Sequence, residues 1–501
     1  MSSTTETSPV PARASTSRAL FLAVFPSIML PMFLAAIDQT IVSTALPAIA
    51  ATLNDVERVS WVVVSYLVSA TIAAPVYGRL GDIFGRRRML FVAMGLFITA
   101  SALCALSTSI VALTAARVLQ GLGGGGLMAL CQALVGEAVP PRERGRYQGY
   151  MASVFVCSST FGPVAGGWLT QHFGWQSVFV VNLPLGLLAM ALALRLPPKE
   201  GGVGRVRFDV PGVIFFALFI APLLFALEQA QHFDLARLPA VLVLLGVAAS
   251  SFLLLLRQER RAATPLLPIA LLRQPAIWRT DAMAACAGAT LVSLITFLPI
   301  YLEVVRSTTP GHTGFLLLPL TAFIAVGSMF TGRTISRTGY TAILPSFGLP
   351  VVALTITALA LFAPVLSLSQ LPWLFLVIAL ANGTAMPVVQ ITVQMLAGPK
   401  QLGAAAASVQ FSRSVGAAIG TALTGAVLFA VLAATDADTA HLFARIVEQG
   451  PAALAGLSPA RIAVVQAEIA GAFRAAFLTI ALYAGLGATL AWSIPVRRVI
   501  G

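Results

Sequence analysis

Residues 78 to 90, GRLGDIFGRRRML, are the stretch that decides the fold. Its glycines Gly78 and Gly85 permit a tight connection between two helices, because glycine adopts backbone conformations that other residues avoid. Asp82 is placed to accept hydrogen bonds from backbone N–H groups at a helix start, and Arg86 opens a run of three arginines. Arginines in a short loop are typical of the cytoplasmic side of a membrane protein. The stretch therefore predicts a charged loop between two membrane-spanning helices.

The composition around this loop is that of a polytopic membrane protein. Of 501 residues, 58% are hydrophobic and only 10% are charged, whereas soluble domains contain about 25% charged residues. A net charge of +13 is compatible with nucleic-acid binding, but the arginines lie in short loops between apolar runs and form no continuous basic face. We therefore expect a lipid bilayer, and no nucleic acid, as the surrounding partner.

Fourteen apolar runs are long enough to cross a bilayer as helices, which need about 20 residues each. The predicted fold class is thus an all-α polytopic membrane protein. Lys and Arg concentrate in the loops after the even-numbered runs and in the two tails, so both termini are expected on the cytoplasmic side of the cytoplasmic (inner) membrane. The predicted spans are 20–46, 59–77, 89–108, 111–132, 148–170, 176–195, 211–230, 238–256, 277–302, 313–331, 342–363, 372–397, 405–431 and 472–495.

The loop motif has a second copy. Residues 78–85 read GRLGDIFG and residues 332–339 read GRTISRTG, so Gly, Arg and Gly recur at the same offsets. The copies follow spans 2 and 10, which fits two related six-span halves if spans 7 and 8 are an insertion. The predicted domains are a disordered cytoplasmic tail at 1–18, a six-helix bundle at 19–195, a linker with two inserted helices at 196–260, and a six-helix bundle at 261–501 that contains a long outer loop at 432–471.

Asp38 is the most informative polar residue within a span. It lies in FLAAIDQTIVSTALP, residues 33 to 47, and an ionisable group inside a membrane costs roughly 2.5 to 3.5 kcal/mol on insertion scales. Arg117 in span 4 is expected at a similar depth, from the helical rise per residue. Two interpretations stay open: a functional carboxylate for proton coupling or cationic-substrate binding, with Arg117 modulating its charge, and a structural ion pair.

Other polar residues are weaker candidates. Glu303 and Glu228 lie near the outer ends of spans 9 and 7, where either can reach interfacial water. Asn382 and Gln390 share one helical face with Gln394, a pattern that suits a polar path or hydrogen bonds between helices equally well. The four histidines fall in outer loops and the four cysteines lack metal-ligand spacing, so we expect no metal or cofactor site. No set of catalytic groups predicts an enzyme.

Several segments resemble motifs of the major facilitator superfamily, and of its fourteen-span drug:proton antiporters in particular. In the segment 175–186, WQSVFVVNLPLG, Gln176 stands where that branch usually has arginine. The other segments are GRLGDIFGRRRML at 78–90, LTAARVLQGLGGGG at 113–126 with Arg117, Gln120 and Gly121, STFGPVAGGWL at 159–169 with Gly162, Pro163, Gly166 and Gly167, and the first-span stretch with Asp38, Thr40 and Pro47.

The resemblance implies a major facilitator fold with 14 helices in a six, two and six arrangement. It also implies a conformational latch between the halves, formed by Gly78, Asp82, Gly85 and Arg86. For the glycines between Gly162 and Gly167, a role in antiport and simple helix packing remain open. Thr40 and Gln120 join Asn382 and Gln390 as candidate residues lining a cavity.

The expected function is export of small hydrophobic or cationic compounds, such as drugs, in exchange for protons. No GxxxxGK[ST] motif is present to bind ATP. Two alternatives remain: an exporter of one metabolite, such as an amino acid, a siderophore or a self-made antibiotic, and a membrane sensor or scaffold that does not transport. A periplasmic adaptor partner is left open.

Overall fold

The computed structural model describes most of the chain. Within the described residues the backbone is helical apart from turns and one isolated β-bridge between Tyr340 and Arg498. The described ranges are 13–55, 58–140, 143–196, 208–230, 238–262, 265–266, 269–449 and 458–498.

Eighteen α-helices lie in these ranges, and one π-helical turn, Tyr301–Val305, extends one of them. In chain order the helices are α1 (Arg13–Leu53), α2 (Trp61–Phe84), α3 (Arg86–Ala105), α4 (Ile110–Ala138), α5 (Arg144–Phe173), α6 (Ser177–Val180), α7 (Asn182–Ala193), α8 (Val210–Ala230), α9 (Leu238–Glu259), α10 (Ile269–Leu272), α11 (Pro275–Ile300), α12 (Pro310–Thr338), α13 (Ile343–Phe362), α14 (Leu371–Asn382), α15 (Ala385–Ala397), α16 (Leu402–Thr435), α17 (Ala437–Gln449) and α18 (Pro459–Ser493).

Twelve helical segments of the described chain are long and apolar enough to cross a membrane. The other two predicted spans correspond to α5, which has 30 residues and more polar side chains, and to the apolar stretch Ser177–Ala193, which contains α6 and α7. The prediction of an all-α fold with 14 membrane helices is therefore confirmed.

Two boundaries differ from the predicted ones. Helix α1 begins at Arg13, so residues 13–18, which we assigned to the tail, are helical; residues 1–12 lie outside the described part. The predicted span 372–397 is two helices, α14 and α15, interrupted at Gly383 and Thr384. There the Thr384 hydroxyl donates to the carbonyl of Ala381 at 2.6 Å, a local bond that competes with a continuous helix.

The segment 432–471 is more helical than an outer loop requires. Helix α16 runs on to Thr435, α17 follows, and α18 already begins at Pro459. The ring of Phe443 in α17 is buried, with its centroid 5.4 Å from that of Phe429 and 6.0 Å from that of Phe473. Aromatic packing thus folds α17 over one end of α16 and α18.

Buried apolar residues form separate clusters in two parts of the chain, here called the N-terminal half (residues 25–196) and the C-terminal half (residues 269–498). Helices α8 and α9, here called the inserted pair, form a smaller cluster around Phe216 and Leu255. That cluster contacts Val76 of α2 and Phe411 of α16. The inserted pair therefore packs against both halves.

Candidate functional site

Asp38 sits at the centre of a buried polar network in the N-terminal half. Its carboxylate is 0% exposed and accepts three side-chain hydrogen bonds. Arg117 Nη1 donates to Oδ2 at 2.6 Å, while Asn182 Nδ2 and Gln120 Nε2 donate to Oδ1 at 2.7 and 2.9 Å. Asp38 and Arg117 therefore face each other and form a buried ion pair.

Arg117 is enclosed almost as completely, with 1% of its side chain exposed. Its Nε donates to the carbonyl of Val62 at 3.0 Å, and Nη1 also donates to Gln120 Oε1 at 2.7 Å. The guanidinium carbon lies 4.3 Å from the ring centroid of Tyr66, which is cation–π geometry. Burying two charges costs desolvation energy, which an ion pair compensates only when its geometry is good and further hydrogen bonds are made. The partners of Asp38 and Arg117 meet both conditions.

Close helix packing places these side chains together. Asp38 comes from α1, Arg117 and Gln120 from one face of α4, and Asn182 from the first residue of α7. In α4, Gly121 lies directly against the backbone of Tyr66 in α2, where a Cβ would collide. Because small residues let helices approach closely, this contact holds the Tyr66 ring over Arg117.

The motif at 159–169 also contacts the Asp38 helix. Gly162 packs against Thr40, and Gly166 packs against Ile41 and Thr44. Gly167 faces open space, and Pro163 is half-buried in the same helix. The Thr40 hydroxyl, two residues beyond Asp38, donates to the Ser158 carbonyl at 2.9 Å. Two of the motif's glycines therefore fix α5 against α1 beside the network.

A second charged cluster joins the halves where α2 ends and α16 begins, here called the latch end. Asp82 Oδ1 accepts from the backbone N–H of Gly403 at 3.1 Å, and Oδ2 accepts from that of Ala404 at 3.2 Å. Arg86 Nη2 donates to Asp82 Oδ1 at 2.6 Å, and the other arm of Arg86 pairs with Glu137 of α4. A carboxylate thus caps the first turn of a helix in the opposite half.

Glycine geometry completes the latch end. Gly85 has φ +94°, a conformation that favours glycine, and it separates α2 from α3. Gly78 lies against the backbone of Gly403, so α2 and α16 touch without intervening side chains.

The second copy of the repeat, residues 332–339, has a similar glycine contact between the halves but no carboxylate at the position of Asp82. Gly332 of α12 lies against the backbone of Gly145 in α5, and Gly339, at φ +75°, follows the last turn of α12. Ser336 stands at the position that matches Asp82, and its hydroxyl donates to the Gly332 carbonyl of its own helix at 2.9 Å. The latch end therefore has two glycine contacts between the halves and one carboxylate cap.

Between the halves, deeper than the latch end, lies a cavity of about 70 Å³, here called the central cavity. Ligand pockets are usually about 300 to 1,000 Å³, so this space holds no drug-sized molecule in the conformation described. Its polar lining includes Gln39 and Thr71 from the N-terminal half and Gln410, Arg413 and Ser414 from α16.

The remaining sequence candidates lie apart from the Asp38 network. Asn382 ends α14 and is buried, whereas Gln390 accepts a bond from Gln394, which also donates to the Gln132 carbonyl of α4 at 3.2 Å. Glu303 is half-buried in the π-helical turn after α11. The side chain of Glu228 lies outside the described part of the structure.

Sequence reasoning missed two residues. Asn182 belongs to the network, although it was quoted only as part of a motif. Asp281 in α11 is 5% exposed and lines a cavity of about 300 Å³, here called the side cavity. Asp38 was singled out because a carboxylate within a predicted span is expected to have a partner or a function. The same criterion would have identified Asp281.

Comparisons with known proteins agree with this architecture. Residues 28–421 match the Major Facilitator Superfamily. The chain is 33% identical over 410 residues to an MFS-type transporter of Mycobacterium tuberculosis, covering 80% of this chain and 59% of that protein. It is 31% identical to the multidrug resistance protein Stp of Mycobacterium tuberculosis, covering 81% and 75%, and 27% identical to the multidrug transporter protein MdtP of Bacillus subtilis, covering 80% and 74%.

Solved structures show the same fold at low identity. The human organic anion transporter MFSD10 has a TM-score of 0.63 at 14% identity, covering 95% of this chain and 99% of that one. The proton:xylose symporter XylE has a TM-score of 0.60 at 13% identity, covering 95% and 96%. With its 14 membrane helices, its paired halves and a family match over most of its length, this chain belongs to the Major Facilitator Superfamily and is a multi-pass membrane protein.

Proposed function

We propose that the protein exports small hydrophobic or cationic compounds in exchange for protons, across the cytoplasmic membrane and with both termini in the cytoplasm. Relatives named for multidrug transport and resistance support the substrate class. The Asp38 network, which is built from buried and mutually dependent charges, supports proton coupling.

The network links one proton to the arrangement of three helices. Protonation of Asp38 would remove the negative charge to which Arg117, Gln120 and Asn182 donate. A buried cation left without its partner costs about 3 to 5 kcal/mol. That cost favours a rearrangement of α1 relative to α4 and α7, so the protonated and ionised states would prefer different conformations.

The latch end supplies the second part of the proposal, alternating access. In the conformation described, Asp82 and the two glycine contacts hold the halves together on the side we assign to the cytoplasm. Hydrogen bonds to charged groups contribute about 1.5 to 3 kcal/mol each. Opening toward the cytoplasm would break the hydrogen bonds of Asp82. Substrate loading from the cytoplasm therefore requires a state in which another interaction compensates for the lost bonding energy.

Transport by reconstituted protein tests this proposal. Wild type in proteoliposomes should accumulate tetraphenylphosphonium against its gradient when a pH gradient is imposed and the membrane potential is clamped at zero. Asp38→Asn should lose this accumulation while still allowing downhill exchange. Asp438→Asn, at an exposed position, is the matched control and should behave as wild type.

Each alternative outcome has a distinct meaning. If Asp38→Asn folds and accumulates the probe as wild type does, Asp38 is a structural ion-pair partner. Binding without any flux in wild type would instead favour a sensor or scaffold.

A further inference from the structure

Asp281 differs from Asp38 and Asp82 because its buried carboxylate accepts no hydrogen bond from the described residues. It is 5% exposed, and neither carboxylate oxygen makes a hydrogen bond with any residue that the structure describes. The hydroxyl of nearby Ser408 donates to the carbonyl of Ala405. Buried charges are normally paired or bound to a cation, so this side chain indicates an absent partner.

The side cavity next to Asp281 has the size and lining for one. Its volume of about 300 Å³ reaches the lower limit of ligand pockets. Apart from Asp281 and two serines, the lining is apolar, with Trp278 and Leu272 on one side and Phe411 and Val415 on the other.

This lining favours an organic cation over a metal ion. Calcium takes six to eight oxygen ligands and magnesium needs near-ideal octahedral geometry, whereas the described lining offers one carboxylate and two hydroxyls. Aromatic faces attract cations through their quadrupole, and apolar walls bind a hydrophobic body.

The inserted pair packs behind one part of the cavity wall. Phe216 of α8 packs against Phe411, with ring centroids 5.4 Å apart, and Leu272 and Val415 contact the same cluster. Trp278 lines the cavity, is 45% exposed and lies within the predicted span 277–302. In a bilayer, we expect this side of the cavity to be open to lipid.

Helix α16 separates the side cavity from the central cavity. Phe411 and Ser412 face the side cavity, whereas Gln410, Arg413 and Ser414 face the central one. A compound held at Asp281 is thus one helix away from the interface between the halves.

We infer that the side cavity is a binding site for amphipathic organic cations, which enter from the bilayer and place their positive charge on the Asp281 carboxylate. This inference rests on the proposed function for its meaning in transport, but binding can be measured without transport.

Equilibrium binding of tetraphenylphosphonium to the full-length protein in lipid nanodiscs tests the site. Asp281→Asn should weaken binding about tenfold or more, as expected when a charge interaction in a partly apolar site is lost. Asp281→Glu should retain most of the affinity. The neutral compound triphenylphosphine oxide should bind wild type and Asp281→Asn alike, which separates loss of charge from loss of fold.

A second variant blocks the site without touching the charge. Ala282→Phe fills the cavity that Ala282 lines and should weaken binding of both compounds. Tetraphenylphosphonium should also quench the fluorescence of Trp278, so the quenching should be smaller in Trp278→Phe.

The outcomes separate this inference from the proposed function. No saturable binding to wild type, or an Asp281→Asn affinity within about twofold of wild type, overturns the site even if wild type exports the probe. Binding that depends on Asp281 in a protein without flux supports the site and overturns export.

Discussion

Asp38 and Asp281 are both carboxylates buried within membrane helices, yet their surroundings are opposite. Asp38 has three side-chain donors and is fully enclosed, whereas Asp281 has no partner among the described residues and lines about 300 Å³ of space. A complete shell of donors stabilises the ionised carboxylate, so a change in its charge would be tied to movement of the helices that carry the donors. A bare carboxylate beside a cavity suits a group that receives something from outside. The contrast supports our two proposals, proton coupling in the N-terminal half and cation binding in the C-terminal half.

The largest expected effect comes from breaking the Asp38 pair on one side only. Asp38→Asn leaves Arg117 buried beside a neutral group and should lower the free energy of unfolding by about 3 kcal/mol or more. Asp38→Asn combined with Arg117→Gln removes both charges and should recover much of that stability without restoring coupled transport. Thermal and denaturant unfolding of the purified variants measure the stabilities. Equal stability of the single and double variants would contradict a coupled pair.

The same substitution at Asp281 should act in the opposite direction. Asp281→Asn removes an unpaired buried charge, so the free energy of unfolding should rise by about 1 to 3 kcal/mol. The measurement is the same unfolding series in the absence of ligand. Destabilisation by Asp281→Asn would mean that the carboxylate has a structural partner, and the comparison between the two sites would fail.

A smaller effect is expected at the latch end, where the two repeat copies differ. Asp82→Asn weakens the cap on α16 and should shift the population toward an open latch end by about tenfold. Ser336→Ala changes a bond within one helix and should leave the population unchanged. Spin labels at the exposed positions Arg88 and Arg337, which lie in opposite halves, report the distance in a cysteine-free background. Equal shifts in both variants would remove the distinction between the copies.

The smallest effect concerns Asp436, which lies outside the membrane segments. A hydrogen bond from Arg461 at 2.6 Å, helped by the backbone N–H of Asp438, lowers the pKa of Asp436 below its usual value. A carboxyl whose folded pKa is lowered stabilises the fold above the unfolded pKa of about 3.9 and loses that contribution as the pH falls through the lowered value. Hydrogen exchange in α17 should therefore accelerate only at acidic pH.

Asp436→Asn should abolish that pH dependence, and Asp438→Asn, which keeps the Arg461 contact, should preserve it. An unchanged pH profile in Asp436→Asn would show that another group controls the end of α17.

Hydropathy was sufficient for the 14 spans, because the membrane requires long apolar helices whatever their packing. It was insufficient for the break at Gly383, since a turn within an apolar run leaves the average hydropathy unchanged. Helix α17 escaped prediction as a packed element because its buried Phe443 depends on aromatic partners far along the chain.

The sequence predicted the membrane depth of the site residues, but not the directions in which their side chains point. Counting residues placed Asp38 and Arg117 at one level, but the rotation of each helix is fixed by contacts such as that of Gly121 with Tyr66. Asn182 lies in an apolar run, and its sequence neighbours do not indicate which residue of another helix it contacts. Asp281 was overlooked because it lies within five residues of its predicted span's start, where charged side chains commonly reach water.

The most direct test of the central claim is the zero-flux point of transport in proteoliposomes. With the membrane potential clamped at zero and a fixed ratio of tetraphenylphosphonium across the membrane, the pH difference is varied until net flux stops. In wild type, the pH difference at zero flux should follow the substrate ratio, because protons and substrate exchange through one cycle. In Asp38→Asn, net flux should stop only when the substrate concentrations are equal, at any pH difference. An Asp38→Asn protein whose zero-flux point still follows the pH difference would contradict the account.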